Sequence, residues 1–271
     1  MIGDSPANSS GRLLSVDGLI NFRDIGGVDT TDGFAVRSGL LLRSASLDSI
    51  TPQGVAELQE MGVRQVVDIR SAAEVDRHGR FPYEGTGIQW LHLDPKIGPP
   101  VAGVGDDALS KQETESQRIL AHPDPMSLVF QFIIDRGGPA IGELIRVAAD
   151  RERLPLVFHC TSGKDRTGVA AAMIQLLLGV GFDQVLADFR LSEIVLDAVH
   201  DDMIARYPEM RALPVEKVRR MAQADDAWLK QALDQAGGRT GPALTPWLNQ
   251  NGVSADTIAQ LRRQLISPRT G

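Results

Sequence analysis

The chain has 271 residues, long enough to bury one hydrophobic core as a single domain or as a domain with an added helical lobe. Its apolar and charged fractions, 42% and 23%, exclude a wholly disordered protein, and a net charge of −7 with no run of Lys or Arg argues against a nucleic-acid binder. A single cysteine excludes an intramolecular disulfide bond, and no apolar run approaches the roughly 20 residues of a membrane-spanning helix.

The N-terminal residues are rich in Ser, Gly and Asn, and they predict a flexible tail over residues 1–14, followed by a single domain over residues 15–271. The tail lacks the basic and then apolar pattern of a signal peptide. The single cysteine suits a reducing compartment. We therefore expect a cytoplasmic protein, or one that is exported without a recognisable signal peptide, and no stable insertion into a membrane.

Short apolar runs bounded by Gly, Pro and charged residues predict strands in the first part of the chain. They lie at residues 39–43, 63–69, 88–93 and 154–158. Thr51 and Pro52 form a good helix start, with a capping side chain and a first-turn proline, for a helix that runs to about Met61. Strands separated by helices predict an α/β fold with a mostly parallel central sheet flanked by helices. In such sheets ligands bind beyond the carboxyl ends of the strands.

Residues 98–125 are rich in Gly, Pro and Asp and predict a long loop or a lid, since long loops in compact domains are usually functional or disordered. Elsewhere the pattern predicts helices, with Ser254 as the N-cap of the last one. These helices cover residues 126–135, 142–150, 169–178, 183–207, 215–236 and 254–265. The region 182–271 is therefore predicted to be mainly helical.

A polar stretch follows the strand at 154–158 and precedes the apolar helix at 169–178: His159-Cys160-Thr161-Ser162-Gly163-Lys164-Asp165-Arg166-Thr167-Gly168. A short loop at a helix N-terminus is an anion site, because backbone N–H groups without intrahelical partners converge there. Cys160 can act as a nucleophile, and Arg166 can present its fork of N–H donors to a phosphate. The helix N-terminus and the nearby cation lower a thiol pKa, which predicts a Cys160 thiolate at neutral pH.

Other residues of the loop fit the same chemistry. Gly163 lets the backbone approach a phosphate without a Cβ in the way. Thr167 can donate its hydroxyl to the sulfur, and the His159 ring can bond loop carbonyls and hold the cysteine in place. The substrate-binding residues predicted from the loop are His159, Thr161, Ser162, Gly163, Lys164 and Thr167. A lone cysteine is more often a small buried apolar residue, but this polar loop is a poor place for one.

The pattern His-Cys, five residues, Arg-Thr-Gly resembles that of the cysteine-dependent protein tyrosine phosphatases. The fuller string Cys-x-x-Gly-Lys-Asp-Arg-Thr-Gly is similar to a microbial branch with tyrosine and, in some members, phosphoinositide phosphatase activity. Further stretches that resemble this family are Asn21-Phe22-Arg23-Asp24-Ile25-Gly26-Gly27, Leu42-Arg43-Ser44-Ala45, Val67-Asp68-Ile69-Arg70-Ser71 and Ala187-Asp188-Phe189-Arg190-Leu191-Ser192. The resemblance runs from about Asn21 to near the C-terminus and is weakest from Gly98 to Pro125.

The resemblance implies a protein-tyrosine-phosphatase-like fold and the hydrolysis of phosphotyrosine monoesters, with phosphoserine and phosphothreonine as further substrates. Cys160 would form a cysteinyl-phosphate intermediate, and Arg166 would stabilise the transferred phosphoryl group. The alternative is a phosphoinositide phosphatase that uses the same loop. A binding module for phosphoproteins fits less well, because Cys160 and Arg166 are both present. A sulfurtransferase also uses a loop cysteine, but Arg166 and the Gly-Lys-Asp pattern fit phosphate better. The oligomeric state stays open.

A phenolate leaves poorly unless it is protonated, so a general acid is expected. Asp94 follows the predicted strand 88–93 and stands where it could reach the site, although it could equally be a solvated turn residue before Pro95. Asp165 is the rival, either as the acid or base, or as a partner that holds Lys164 and the loop. Asp106 and Asp107 are third choices.

Several charged residues leave two interpretations open. Lys164 could meet a second phosphate of an inositol ring or could be solvated. The segment Asn21–Asp24 could buttress the loop, while Arg23 and Asp24 could form a plain ion pair, which we favour, and the same alternatives hold for Asp68 and Arg70. The histidines show no metal-ligand spacing, and with one cysteine we predict neither a metal nor a cofactor.

Overall fold

A five-stranded sheet lies at the centre of the computed structural model, which describes residues 12–97 and 118–269. Numbered in chain order, the strands across this sheet are β1 (Arg23–Asp24), β3 (Leu41–Ser44), β6 (Leu156–His159), β4 (Gln65–Asp68) and β5 (Gln89–His92). The last four run parallel, and β1 pairs antiparallel with β3. This confirms the predicted mostly parallel sheet. A second, antiparallel sheet joins β2 (Phe34–Val36) to β7 (Ile266–Pro268).

Helices surround the central sheet and make up most of the described chain after residue 182. The α-helices are α1 (Pro52–Glu60), α2 (Ala72–His78), α3 (Pro125–Arg136), α4 (Gly138–Ala149), α5 (Asp165–Leu178), α6 (Phe182–Arg190), α7 (Leu196–Arg206), α8 (Val215–Ala222), α9 (Asp226–Gln235), α10 (Gly241–Gln250) and α11 (Ala255–Leu265). Residues 118–121 are also helical. None of the helices in the described ranges has both the length and the apolar character that crossing a bilayer requires.

Each face of the central sheet has its own core. Val67 and Phe158 belong to the larger core, which includes α5 and much of the C-terminal half, whereas Val66 and Val157 belong to a smaller core with α1. Successive side chains of a strand point to opposite faces, so these neighbours separate. Strands that are buried on both faces are typical of parallel sheets.

Helix α5 directly follows the loop that leaves β6. Every residue from Thr167 to Leu178 is buried, as expected for a helix that is apolar on all sides. It ends at Gly179, which adopts the left-handed conformation with φ of 92° and so stops the helix where the sequence predicts. The burial fixes the start of α5, and with it the end of the loop.

Local capping signals predicted two further helix starts correctly. Thr51 accepts a hydrogen bond from the backbone N–H of Gly54 before α1, and Ser254 accepts one from Thr257 before α11. The long predicted helices were less accurate. Helix 183–207 is broken by a 3₁₀ turn at Leu191–Val195, and helix 215–236 is broken at residues 223–225, between α8 and α9.

The helical residues 118–121 fall in the predicted loop, and two further helices and three strands were not predicted. Helix α10 contains Pro246 and begins with Gly-Pro, so its propensity is low, and it is held by the burial of Leu244 and Leu248. Helix α2 has seven residues, and the strands β1, β2 and β7 have two or three each. Segments this short carry too few residues to show a hydrophobic period.

Candidate active site

One glycine shapes the Cys160 loop, which we define as residues 160–164 between β6 and α5. Gly163 has φ of 63° and lies so close to β3 that a Cβ atom would be 2.3 Å from the carbonyl oxygen of Ser44. Only glycine allows this approach. No side chain caps the first turn of α5, so its free N–H groups and the positive end of its dipole are available to an anion beside Cys160.

Cys160 is buried, with 2% of its surface exposed, and His159 supports it. His159 Nδ1 lies 3.1 Å from the carbonyl oxygen of Cys160, and its Nε2 lies 3.7 Å from Asp68 Oδ2. Burial lowers the pKa of His159, although the charge of Asp68 acts in the opposite direction. The ring is therefore neutral near pH 7. Its contact with the carbonyl is the one that the sequence predicted.

Arg166 points into the site and is held by a residue that the sequence analysis missed. Its Nη1 and Nη2 donate to the two carboxylate oxygens of Glu74 at 2.6 and 2.7 Å. Glu74 also accepts a hydrogen bond from the hydroxyl of Thr161 and belongs to the capping box that Ser71 forms at the start of α2. A bidentate pair of this kind fixes the plane of the guanidinium.

The charge of Glu74 follows from its partners. Burial raises the pKa of this carboxyl. The charge and hydrogen bonds of Arg166, together with the hydrogen bond from Thr161, lower it by more, so that the net pKa is about 2. The same pairing raises the pKa of Arg166 despite its burial. Both side chains are therefore ionised in the folded protein. The capping-box spacing of Ser71 and Glu74 was a signal that α2 exists, but it does not reveal the contact with Arg166.

A cavity lies over the Cys160 loop. It is lined by Cys160, Thr161, Ser162, Asp165 and Arg166, by Glu74, Ile97, Met126 and Val129, and by Met203, Tyr207, Met210 and Met221. The last four come from residues 196–222, which we call the roof. The cavity has a volume of about 60 Å³, which holds a few water molecules at about 10–15 Å³ each.

Lys164 and Asp165 form a buried pair beside the cavity. Lys164 is 1% exposed, and its Nζ donates to Asp165 Oδ1 (2.7 Å) and to the carbonyl oxygens of Met221 (3.0 Å) and Gln223 (2.8 Å). These three bonds use all three N–H groups of the ammonium. Lys164 is therefore not solvated, which was one of the two alternatives, and in this conformation it has no donor left for a second phosphate, which was the other. Asp165 lines the cavity and holds Lys164, as one of the two interpretations predicted.

Asp94 lies apart from the cavity lining. It accepts hydrogen bonds from the backbone N–H (2.8 Å) and the Nζ (2.9 Å) of Lys96. Burial raises its pKa, but the contacts with Lys96 outweigh this effect and lower it. A carboxylate that lies outside the cavity lining and binds Lys96 matches the alternative of a turn residue, not that of a proton donor at the site. Asp106 and Asp107 lie outside the described residues.

Thr167 and Ser162 occupy different places in the site. The hydroxyl of Thr167 is buried and has no hydrogen-bond partner among the described residues, so the predicted bond to the sulfur is not formed in this conformation. Ser162 lines the cavity. A buried hydroxyl without a partner is unfavourable. The Thr167 hydroxyl can therefore donate to a thiolate or an oxyanion at Cys160.

The N-terminal box supports the loop from behind. Asn21 Nδ2 donates to the carbonyl oxygens of Ser162 (3.1 Å) and Gly163 (3.2 Å), while Arg23 donates to Asn21 Oδ1. The favoured ion pair between Arg23 and Asp24 was wrong: Arg23 Nε lies 3.5 Å from Asp188, and Asp24 accepts the backbone N–H groups of Gly26 and Gly39. The box therefore buttresses the loop, which was the other interpretation.

With this geometry established, sequence comparison places the chain in a family. The profile of the tyrosine phosphatase family matches residues 14–267. The chain belongs to the tyrosine phosphatase family. It is 28% identical over 289 residues to the triple specificity protein phosphatase PtpB of Mycobacterium tuberculosis (94% of this chain and 99% of that protein), and 24% identical over 246 residues to a tyrosine-protein phosphatase of Nostoc commune (85% and 76%).

Among solved structures, the core catalytic domain of the PP-IP phosphatase Siw14 from S. cerevisiae covers 79% of this chain and 98% of its own, with a TM-score of 0.38 and 14% identity. The family match confirms the resemblance drawn from the Cys160 motif. This tyrosine phosphatase is thus an enzyme, a phosphoric monoester hydrolase. The predicted fold class, a mostly parallel sheet with a helical C-terminal half, is confirmed as well.

Two predicted segments fall partly outside the described residues of the phosphatase. Of the predicted tail, residues 1–11 lie outside, and Arg12 forms an ion pair with Asp188 at 3.3 Å. Of the predicted loop or lid at 98–125, residues 98–117 lie outside. Helix α3 begins at Pro125 and contributes Met126 and Val129 to the cavity wall.

A buried aspartate anchors the roof to the body of the phosphatase. Asp48 accepts two hydrogen bonds from Arg206 of α7 (2.8 and 2.9 Å) and one from Arg70 (2.7 Å). Arg70 in turn pairs with Asp68 at 2.7 Å, which confirms the ion pair expected there. Burial raises the pKa of Asp48, but both arginines oppose it and the net shift is downward. The roof is therefore pinned by an ionised pair.

Removing this anchor is expected to expose Cys160. In Arg206→Met the closed roof would lose about 1–2 kcal/mol, which raises the open population roughly 5- to 30-fold. Alkylation of Cys160, the single thiol, would accelerate by the same factor at fixed pH. Arg219→Met is the matched control, because Arg219 pairs with the exposed Asp197 within the roof (3.1 Å). Equal alkylation rates in the two variants would mean that the Asp48 anchor does not control access.

Proposed function

We propose that this phosphatase hydrolyses phosphotyrosine monoesters through a cysteinyl-phosphate intermediate. The observation that carries the proposal is that Cys160 and Arg166 line one cavity at the N-terminus of α5. Phosphoryl transfer to sulfur needs a nucleophilic thiolate and donors for the charge on the transferred oxygens. The first turn of the helix, which has no side-chain cap, adds backbone donors at the same point.

In the first step Cys160 Sγ attacks phosphorus, so that the S–P bond forms and the bond from phosphorus to the tyrosyl oxygen breaks. Arg166 stabilises the equatorial oxygens. Glu74 accepts one N–H from each terminal nitrogen of Arg166, at 2.6 and 2.7 Å. Nη1 also donates to the carbonyl oxygen of Ile97 (3.3 Å) and Nη2 to the hydroxyl of Thr161 (3.5 Å). The pair with Glu74 therefore orients the guanidinium, Nε–H is left for the phosphate, and a phosphate oxygen would replace the two longer contacts.

Asp165 is the general acid in this proposal. It lines the cavity beside Arg166, and its proton passes to the tyrosyl oxygen as that oxygen leaves. In the second step water attacks phosphorus, Asp165 takes up the proton of the water and the S–P bond breaks, which releases inorganic phosphate and restores the thiolate. Asp94 has no part in these steps, because it is not among the residues that line the cavity.

The cavity wall favours an aryl leaving group. Met203, Met210 and Met221 of the roof face the same space as Arg166, and thioether sulfurs make favourable contacts with aromatic rings. Arg166 is the one cationic side chain in the lining formed by the described residues. An inositol ring with several phosphates would need more cations than this wall supplies.

A broader specificity is the second candidate. The relative from Mycobacterium tuberculosis is named a triple specificity phosphatase, and it aligns with nearly all of this chain. Phosphoserine, phosphothreonine and phosphoinositide substrates therefore remain alternatives to be measured against phosphotyrosine. Rates on phosphotyrosine, phosphoserine and phosphothreonine peptides and on soluble phosphoinositides separate them. We expect phosphotyrosine to be fastest, and a phosphoinositide that exceeds it would reverse the order of the two candidates.

Substitution of the nucleophile tests the mechanism. In Cys160→Ser we expect turnover of an aryl phosphate to fall by at least about 10⁴-fold, as nucleophile removal does in other covalent enzymes. Phosphate trapped on the wild-type protein by acid quench must be absent from the variant. Unchanged circular dichroism is the control for folding. Substantial activity in Cys160→Ser would exclude the cysteinyl-phosphate intermediate.

A further inference from the structure

The cations in front of Cys160 are already neutralised by carboxylates. Arg166 makes its two-pronged pair with Glu74, and Lys164 pairs with Asp165 at 2.7 Å. The Arg166–Glu74 pair carries no net charge, and the Lys164–Asp165 pair carries none in the free enzyme, before Asp165 takes up the proton that it donates in the first step. A thiolate and a phosphate dianion both need net positive charge close by. These two pairs alone do not supply it.

The uncompensated charge lies behind the loop, in what we call the rear cluster: Arg12, Arg23, Arg43 and Asp188. Asp188 lies 3.3 Å from Arg12, 3.5 Å from Arg23 and 2.7 Å from Arg43. Among the described residues it is the one carboxylate within ion-pair distance of these arginines. Arg23, Arg43 and Asp188 are almost completely buried. Three guanidinium groups therefore share one carboxylate in a region with little solvent.

The excess of positive charge in the rear cluster affects the pKa and the hydrogen bonding of its arginines. Burial, with the charge of Arg43, lowers the pKa of Arg23 to about 9. Several polar atoms of the cluster, including Nε of Arg23 and of Arg43, have no hydrogen-bond partner in the described part of the chain. Buried cations are unfavourable when the nearby negative charge does not balance them, as with three arginines around one carboxylate. A further negative charge nearby would compensate them.

Arg43 is the member of the rear cluster that reaches the loop. It lies on β3 opposite Phe158 of β6, two residues before Cys160. Its Nη2 donates to the carbonyl oxygen of Gly163 at 2.8 Å, and the same atom lies 3.5 Å from where a Cβ of Gly168 would be. The guanidinium therefore lies between the loop and the first turns of α5, and Arg43 is not among the residues that line the cavity.

We propose that Arg43 is a positioning residue for the reaction, which supplies from behind the loop the net positive charge that keeps Cys160 ionised and also holds the loop through Gly163. The inference rests on the proposed function, because it takes Cys160 as the nucleophile. Asp188 sets the strength of the effect, since its carboxylate offsets part of the charge of Arg43. The two residues therefore act on Cys160 with opposite sign.

The test is the pH dependence of Cys160 alkylation by iodoacetamide, which reports on one thiol because the chain has one cysteine. In Arg43→Met we expect the thiol pKa to rise by about one unit, so that alkylation at pH 6 becomes about tenfold slower. In Asp188→Asn the thiol pKa should fall, because the carboxylate that offsets part of the charge of Arg43 is removed. In Arg43→Lys, which keeps the charge, it should stay within about half a unit of the wild type.

The measured thiol pKa values show whether the role of Arg43 fails alone or together with the proposed function. A wild-type thiol that titrates near 8.5, the value for free cysteine, would overturn both. A depressed wild-type value with no rise in Arg43→Met would overturn the role of Arg43 alone. A rise in both Arg43→Met and Asp188→Asn would also overturn it, because a merely structural loss moves both in the same direction. If Arg43→Met does not fold, a full unit of rise in Arg43→Lys overturns it instead.

Discussion

The variant Arg166→Met is expected to lose about 10³- to 10⁵-fold in kcat/KM for an aryl phosphate, the range measured for arginines that stabilise phosphoryl transfer. The reason is geometric as well as electrostatic. Methionine has a similar length but no N–H donors, and Arg166 is the one cation in the described cavity lining. Vanadate, which mimics the phosphoryl group, should no longer protect Cys160 from alkylation.

The variant also leaves Glu74 without its partner, so a loss of activity could come from a disturbed fold. The double variant Arg166→Met/Glu74→Gln separates the two causes, because it removes the unpaired carboxylate. We expect it to recover stability and to stay inactive. Arg80→Met is the matched control: Arg80 pairs with Glu84 at 3.0 Å on the surface, and its loss should leave kcat/KM unchanged. Activity in the double variant within tenfold of the wild type would remove Arg166 from the mechanism.

The parts of the site that sequence analysis predicted correctly are contiguous in the chain. Strand β6, the Cys160 loop and α5 lie within residues 156–178, and their signals are local: an apolar run, a polar loop with glycine, an apolar helix and Gly179 at its end. The same holds for the caps at Thr51 and Ser254. Hydrogen bonds to the nearest turn decide these features, so no knowledge of the fold is needed.

The parts that were missed depend on residues far apart in sequence. Glu74 contacts Arg166 across 92 positions, and its carboxylate could have been solvated on a surface helix. Lys164 is buried because Met221, in the last turn of α8, and Gln223, just after it, supply two carbonyl oxygens, 57 and 59 positions away. Lysine is almost never fully buried without such partners. A sequence pattern cannot show whether those partners exist.

For Asp94 the sequence predicted the position in the fold but not the contacts of the side chain. It follows β5 at the carboxyl edge of the sheet, the edge at which Cys160 lies. Position at the correct edge is necessary for a general acid but does not decide where the side chain points. Lys96, two residues on, captures the carboxylate. The predicted position of Asp94 at this edge was therefore correct, but its hydrogen bonds to Lys96 turn the side chain to a different partner.

Glu74→Gln is expected to destabilise the phosphatase by about 3–5 kcal/mol, the usual effect of breaking a buried ion pair by removing one partner. Glutamine keeps the shape and the cap at Ser71, but it leaves the charge of Arg166 without compensation. Urea denaturation at pH 7 measures the loss. Glu84→Gln is the matched control, since its exposed pair with Arg80 should leave the midpoint nearly unchanged. An equal shift in both variants would contradict the buried pair.

The pH dependence gives this prediction a sign. The pKa of Glu74 is about 2 in the folded protein and 4.5 as the ordinary value, so the unfolded chain binds its proton first as the pH falls. The stabilisation is complete above about pH 4.5 and disappears between about pH 4.5 and pH 2. At pH 7 it amounts to about 3 kcal/mol. The free energies of unfolding of the wild type and Glu74→Gln should therefore converge over that interval, because a protonated Glu74 is as neutral as the glutamine that replaces it.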